Sequence, residues 1–393
     1  MAERRARAAS VEQLVAAKEI VVSCGAGGVG KTTTAAALAA MAAARHGGKV
    51  LVLTVDPARR LAAAMGLARL GNVETRVDPG AFADAGLDPR GELWAAMLDT
   101  KQSWDDLVRR HAPDAATRDA ILANPLYRNV AGRFVQSHDY IAMERLYELH
   151  SSGAYDLIVV DTPPTRHALD FLEAPERMAD FFSSRLLRWL LVPYRSRLVN
   201  AASRPFHQVA DRVLGTAFLR DIAEFFMLFQ AMYEGFVERA KAVERVLEDH
   251  RTTFVVVTTL ESAPAHEARR FVEVLRSKRL HLGALVLNRV LPAELLDRAS
   301  TEAARRLSAS PETVAAAVLA GQPDLVDDPK LLARVLQELG ESFLNFQVVA
   351  KREAEQRAEL GVSAEVVATV PSLDTDIFDI AGLVRLGEQL RRS

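Results

Sequence analysis

The sequence predicts an α/β protein: a mostly parallel, doubly wound sheet flanked by helices, with a helical subdomain inserted between its strands. Three observations carry that expectation. Short, apolar, β-rich runs recur along the chain, and each stops at a polar residue or a proline. Helical patterns separate most of these runs, the alternation that builds a parallel sheet covered on both faces. A glycine-rich stretch, Gly25 to Lys31, lies between the first run and an alanine-rich helical segment.

The elements follow in order. Glu19 to Ser23 reads as a buried strand and Thr33 to Arg45 as the helix after the glycine-rich stretch. Val50 to Val55 ends at Asp56-Pro57, and Leu93 to Leu98 ends at Asp99. Leu157 to Val160 ends at Asp161-Thr162-Pro163-Pro164, and Phe254 to Val257 at Thr258-Thr259. Leu285 to Leu287 ends at Asn288, and Val366 to Val370 at Pro371. Ligands on such sheets sit at the carboxyl ends of the strands. Asp56, Asp161 and Asn288 are therefore expected to gather beside the glycine-rich loop.

Two segments interrupt the alternation. Ser103 to Leu149 is mostly helical in pattern; Arg177 to Asp249 is longer and more apolar. In the second, Phe225, Phe229, Met232 and Phe236 recur at helical spacing. They either pack a closed helical core or line a groove for a hydrophobic protein client. Leu331 to Leu360 reads as a long helix with Gly340 as a candidate break. The expected organisation is a first part of the core at 1–102, a helical insertion at 103–149 and core again at 150–176. An apolar helical subdomain at 177–249 and the rest of the core at 250–393 complete it.

Composition removes several function classes. Of 393 residues, 49% are apolar and 25% charged, ordinary for a soluble globular protein. A net charge of −2 gives no overall pull toward nucleic acid, so none is expected as a partner. No uninterrupted apolar stretch reaches the roughly 18 residues a membrane span needs. Met1 to Arg7 carries arginines with no apolar run behind them and reads as a solvated tail rather than a secretory signal. Cys24 is the one cysteine, which excludes an intrachain disulfide or a two-cysteine metal site. A cytoplasmic protein is expected.

Gly25 to Thr32 fits the phosphate-binding pattern G-x-x-x-x-G-K-[ST]. Glycines let the backbone wrap an anion, and amides at the following helix start point toward it. In that pattern Lys31 reaches the β- and γ-phosphates and the Thr32 hydroxyl ligates Mg²⁺.

The loop, with Asp56-Pro57-Ala58 and Asp161-Thr162-Pro163-Pro164-Thr165-Arg166-His167, resembles the ArsA-like ATPases. These belong to the dimeric, deviant Walker A class of P-loop NTPases. The resemblance implies ATP and Mg²⁺ as cofactors. It implies that Gly27, Gly28, Val29, Gly30, Lys31, Thr32 and Thr33 hold the triphosphate. Asp56 would orient or deprotonate the attacking water, with Pro57 and Ala58 completing the first switch. Asp161 would support Mg²⁺ through its water shell, beside Thr32. Thr162, Pro163, Pro164, Thr165 and His167 would form the second switch and sense the γ-phosphate. Asn288 would hydrogen-bond the adenine edge, and Val370 and Pro371 would lie in the adenine loop.

The chain departs from the family pattern at several points. Ala26 stands where the family has a second, signature lysine that reaches across a dimer to the partner's phosphates. Arg59, Arg60 or Arg166 either substitutes for it or is a solvated charge. There is a single ATPase half, which implies a homodimer or a heterodimer with a paralogous ATPase. No C-x-x-C pair exists to hold zinc, and Cys24 alone cannot form an arsenite site. The leading expectation is a nucleotide-switched ATPase handling hydrophobic or membrane-protein clients. Two alternatives stand beside it: a weakly hydrolysing regulatory subunit, and a MinD-like positioning ATPase peripheral to the membrane. The mark of the last would be a basic amphipathic terminal helix at Ile377 to Leu390.

Overall fold

The computed structural model describes residues 10–55, 59–68, 70–130, 137–163, 173, 177, 180, 224–228, 232–360, 364–373 and 375–392. Ser10 caps the first helix, α1 (Val11–Ala16), by accepting from the Gln13 amide. β1 (Ile20–Cys24) follows, buried at every position. α2 (Lys31–Arg45) starts directly after the glycine-rich loop. Its run of alanines lets the helix lie close against the sheet, and most of its residues are buried. β2 (Gly48–Thr54), α3 (Arg59–Ala64), β3 (Thr75–Arg76), α4 (Pro79–Ala83) and β4 (Gly91–Met97) complete the first half.

Between β4 and β5 the chain is helical: α5 (Thr100–His111), α6 (Ala115–Ala123), α7 (Pro125–Val130) and α8 (Ser137–Ser151). Asp99 and Asp114 cap the first two. β5 (Leu157–Asp161) returns to the sheet. Residues 224–228 are helical, and α9 (Tyr233–Glu248) leads into β6 (Thr252–Thr258). Then come α10 (Ser262–Ser277), β7 (Leu282–Val290) and a helical excursion of α11 (Arg298–Ala309), α12 (Pro311–Gly321) and α13 (Pro329–Leu360). β8 (Val366–Pro371) and α14 (Ile380–Arg392) end the chain's described elements.

The sheet has eight strands in the order β3-β4-β2-β5-β1-β6-β7-β8. Every pairing is parallel except β3 with β4. β1 lies between β5 and β6, so the loop that follows it opens at the middle of the sheet's carboxyl edge. Alternate strand residues feed two cores. Ile20, Val22, Ile158 and Val160 face α5, α8, α9 and α10; Val21, Val159 and Val257 face α1, α2 and α14. The result is helix, sheet, helix, as the alternating pattern predicts.

Three points come from the structure. The edge strand β3 is two residues long and antiparallel, too short to leave a periodic signal. Gly340 does not break α13, which runs unbroken; the glycine is buried where α11 crosses. A Cβ there would lie 2.6 Å from the Ala304 carbonyl oxygen. Finally, Phe225, Met232 and Phe236 are buried in the same core as Trp104 and Tyr140, the closed alternative, while Phe229 lies outside the described residues.

Candidate functional site

The loop between β1 and α2 is pressed against the sheet. A Cβ on Gly25 would fall 2.0 Å from the Val257 carbonyl oxygen, so no side chain fits there. Gly30, the residue before α2, has φ +96°, and a Cβ on it would meet the Asn288 amide nitrogen at 2.3 Å. Only glycine satisfies both demands. Gly27 and Gly28 are exposed, and Val29 is tucked into the core. The loop is thereby anchored at both ends, with its middle backbone open to a ligand.

Lys31 opens α2 and is 7% exposed. Its Nζ donates to the Ala26 carbonyl oxygen at 2.9 Å, which holds the ammonium over the loop. Ala26 is itself buried. Next to Lys31, the Thr32 hydroxyl donates to Asp161 Oδ2 at 2.7 Å. Thr54, at the end of β2, donates to the same oxygen at 3.0 Å. Asp161 is fully buried at the end of β5, and these two hydroxyls fix its carboxylate. Thr162 bonds back to the Ser23 carbonyl oxygen through its hydroxyl at 2.9 Å.

On the other flank, Asn288 Nδ2 donates to the Val29 carbonyl oxygen at 2.7 Å, and Oδ1 accepts from the Arg289 amide. One N–H of the amide is left for another acceptor. Val370 is buried beneath the edge of β8, whereas Pro371 is exposed. Any contact of this segment with a base would therefore come from the backbone and Pro371.

The structure thus brings Asp161, at the end of β5, and Asn288 to the loop; Asn288 does not end its strand as expected, because β7 runs two residues further to Val290. Asp56, Pro57 and Ala58 lie outside the described residues, as do Pro164, Thr165, Arg166 and His167. Pro163 is described and buried. Arg59 and Arg60 open α3. Thr54 and Ser23 were missed by the sequence reading. Their signal is a polar residue closing an apolar run, which Thr54 shares with Asp161.

The donor set suits a hard cation. Thr32 uses its proton on Asp161 and keeps oxygen lone pairs free, and the carboxylate adds an anionic oxygen a hydrogen bond away. Among the described residues, no group of three or more His, Cys, Asp or Glu side chains forms a metal cage. An Mg²⁺ held mainly by hydroxyl, phosphate and water needs none. The buried Cys24 thiol is pushed up to about 12 by desolvation, so it stays neutral and offers no soft ligand.

A phosphate-cradling loop, a buried lysine and a hydroxyl–carboxylate pair on a central parallel sheet define a P-loop NTPase. The chain belongs to the anion-transporting ATPase family, whose sequence model matches residues 18–310. A relative from Streptomyces coelicolor, an uncharacterized protein, is 35% identical over 276 residues. The match covers 69% of this chain but 62% of that protein, so the chain spans less than two thirds of its length. ATPase get3 of Pyrenophora tritici-repentis is 27% identical over 271 residues, 68% of this chain and 72% of its own. A putative arsenical pump-driving ATPase 2 from Aquifex aeolicus is 25% identical over 277 residues, covering 68% and 79%.

Proposed function

We propose that the chain is an Mg²⁺-dependent ATPase whose nucleotide state opens and closes a dimer. One observation supports this most directly: Lys31, Thr32 and Asp161 converge at the mouth of a loop whose middle backbone is exposed. Phosphoryl transfer needs mainly a cradle, positive charge and a placed water. The loop amides and Lys31 would bind the β- and γ-phosphates. Thr32, and Asp161 through water, would hold Mg²⁺, which when bound offsets phosphate charge. Asp56 would orient the attacking water and accept its proton. Asn288 and Pro371 would receive the adenine.

The dimer rests on the family resemblance, and Ala26 bears on which partner completes the site. Ala26 contributes no charge to a partner's site, and a cation supplied in trans is worth about 10³-fold or more in rate. A homodimer is then slow unless Arg59, Arg60 or Arg166 substitutes. A heterodimer with a lysine-bearing paralogue would restore the site on this chain. The client of such a switch would be apolar and bound by the segment 177–249. Phe225, Met232 and Phe236 face the core in this form and are closed to it. A cytoplasmic location accompanies this reading. Among the described residues no helix is long and apolar enough to cross a membrane. The membrane-positioning alternative loses its main support, because the apolar face of α14 packs on α2, with Leu383, Leu386 and Leu390 buried.

Lys31→Ala tests the foundation. Calorimetry should show ATP affinity lost or greatly weakened, while Asp56→Asn keeps ATP bound and slows turnover. Unchanged ATP affinity in Lys31→Ala overturns the reading.

A further inference from the structure

Most of the exposed large apolar side chains among the described residues lie in the helical excursion between β7 and β8. The excursion extends past residue 310, where the family match ends. Its long helix, α13, buries Leu332, Ala333, Gly340, Gln347 and Ala350, the face that packs on α11 and α12. A second face is apolar and open. Val335 is 52% exposed, Leu339 57%, Phe346 55% and Val349 46%, with Ser342 exposed between them.

The spacing of these five positions is 4, 3, 4, 3. That is the repeat of a coiled-coil seam, which meets a partner helix once every 3.5 residues. Over two heptads the same spacing also marks any apolar face of a straight helix, so the flanking charges decide what this face meets. The seam spans about 21 Å at 1.5 Å per residue. It ends at Glu353, whose carboxylate turns back to accept from the Leu291 amide at 3.0 Å.

The flanking charges select the partner. On the open side of the seam, at seven-residue intervals, stand Glu338, Asn345 and Arg352, all exposed. Suppose two copies of α13 pair antiparallel about a two-fold axis near Leu344. Leu339 then meets Val349 of the second copy, Ser342 meets Phe346, and Val335 lies at each end against the stem of Glu353, whose carboxylate is turned back to the Leu291 amide. In the same register Glu338 faces Arg352 of the second copy, Arg352 faces Glu338, and Asn345 sits beside its own copy on the axis. The two-fold axis makes the pair occur twice, so both ends of the seam carry an acid against a base. One register satisfies the apolar layers and the charges together.

We propose that α13 is a self-association surface, pairing antiparallel with α13 of a second copy of this chain through Val335, Leu339, Ser342, Phe346 and Val349. It is separate from the nucleotide-driven dimer proposed above and needs no ATP.

The test is the oligomeric state of the full chain by sedimentation velocity, without nucleotide and with EDTA, so that the nucleotide faces are not engaged. The parent should associate reversibly. Leu339→Glu with Phe346→Glu should remove association while circular dichroism stays native. Glu338→Arg and Arg352→Glu each place like charges opposite one another twice, and should weaken association roughly tenfold or more. Mixing those two single variants should restore it, because each copy then meets its opposite; a folding defect could not be repaired this way. A monomeric parent overturns the proposal, including one that instead binds an apolar peptide helix or lipid vesicles. So does association that the charge reversals leave unchanged, or that their mixture fails to restore.

Discussion

The Thr32 hydroxyl and the Asp161 carboxylate lie 2.7 Å apart, joining the start of α2 to the end of β5 across 129 residues of sequence. The bond leaves the hydroxyl oxygen available to a cation and aims the carboxylate at the same point. Thr32→Ala should therefore raise the Mg²⁺ concentration needed for half-maximal hydrolysis, with little loss of fold. Asp161→Asn should do the same more strongly, because charge as well as geometry is removed. Steady-state rates against Mg²⁺ check this; a parental Mg²⁺ dependence in both variants would make the pair purely structural.

Gly30→Ala carries two penalties. The residue sits at φ +96°, where a Cβ costs roughly 1–2 kcal/mol, and that Cβ would strike the Asn288 amide at 2.3 Å. ATP affinity should fall, because the loop amides shift. Adding Asn288→Ala removes the collision but not the backbone strain, and it also removes the proposed adenine contact, so the readout is thermal stability rather than affinity: the double variant should be more stable than the sum of the two single variants. Additive losses would mean that the backbone conformation alone sets the cost.

Gly340→Ala should destabilise, against the usual direction. In an open helix interior alanine is better than glycine by about 1 kcal/mol. Here the new carbon would lie 2.6 Å from the Ala304 carbonyl oxygen and 2.9 Å from the Ser308 amide nitrogen. Backbone cannot step aside cheaply, and overpacking of this kind costs about 1–3 kcal/mol. Hydrogen exchange should show α11 and α13 less protected; increased protection would falsify the close-packing account.

Cys24 gives a pH prediction. Its thiol is raised from near 9 to about 12 by burial. Below pH 9 the native and unfolded chains both carry the proton, and the group has no effect. Between about 9 and 12 the unfolded chain releases it and the native chain keeps it. Stability therefore falls as pH rises through that window. Cys24→Ala should flatten that part of the stability curve. Alkylation of the native protein near pH 9 should be slow, and rapid once it is denatured. Arsenite should leave hydrolysis unchanged, since one neutral thiol cannot chelate it.

Local rules made most of the sheet legible. β1, β2, β4, β5, β6, β7 and β8 each contain one of the apolar runs, because buried parallel strands must be apolar on both faces, although β7 continues past the Asn288 that closes its run. The loop was legible for a different reason: glycines, lysine and threonine at fixed spacing are what a phosphate demands of a backbone. Those patterns also pointed to Asp161 and Asn288.

Tertiary packing decided what periodicity could not. Phe225, Met232 and Phe236 show the same helical spacing whether they meet a client or a core, and only the placement of Trp104 and Tyr140 beside them closes that face. Gly340 reads as a break until α11 is seen crossing it. Thr54 and Asn288 acquire their roles from partners 107 and 259 residues away. The sequence by itself determined which segments become strands and where an anion can be cradled, because both depend on neighbours along the chain. Which apolar faces stay open, and which hydroxyls hold a carboxylate, depend on distances between segments far apart in sequence, and only the folded chain fixes those.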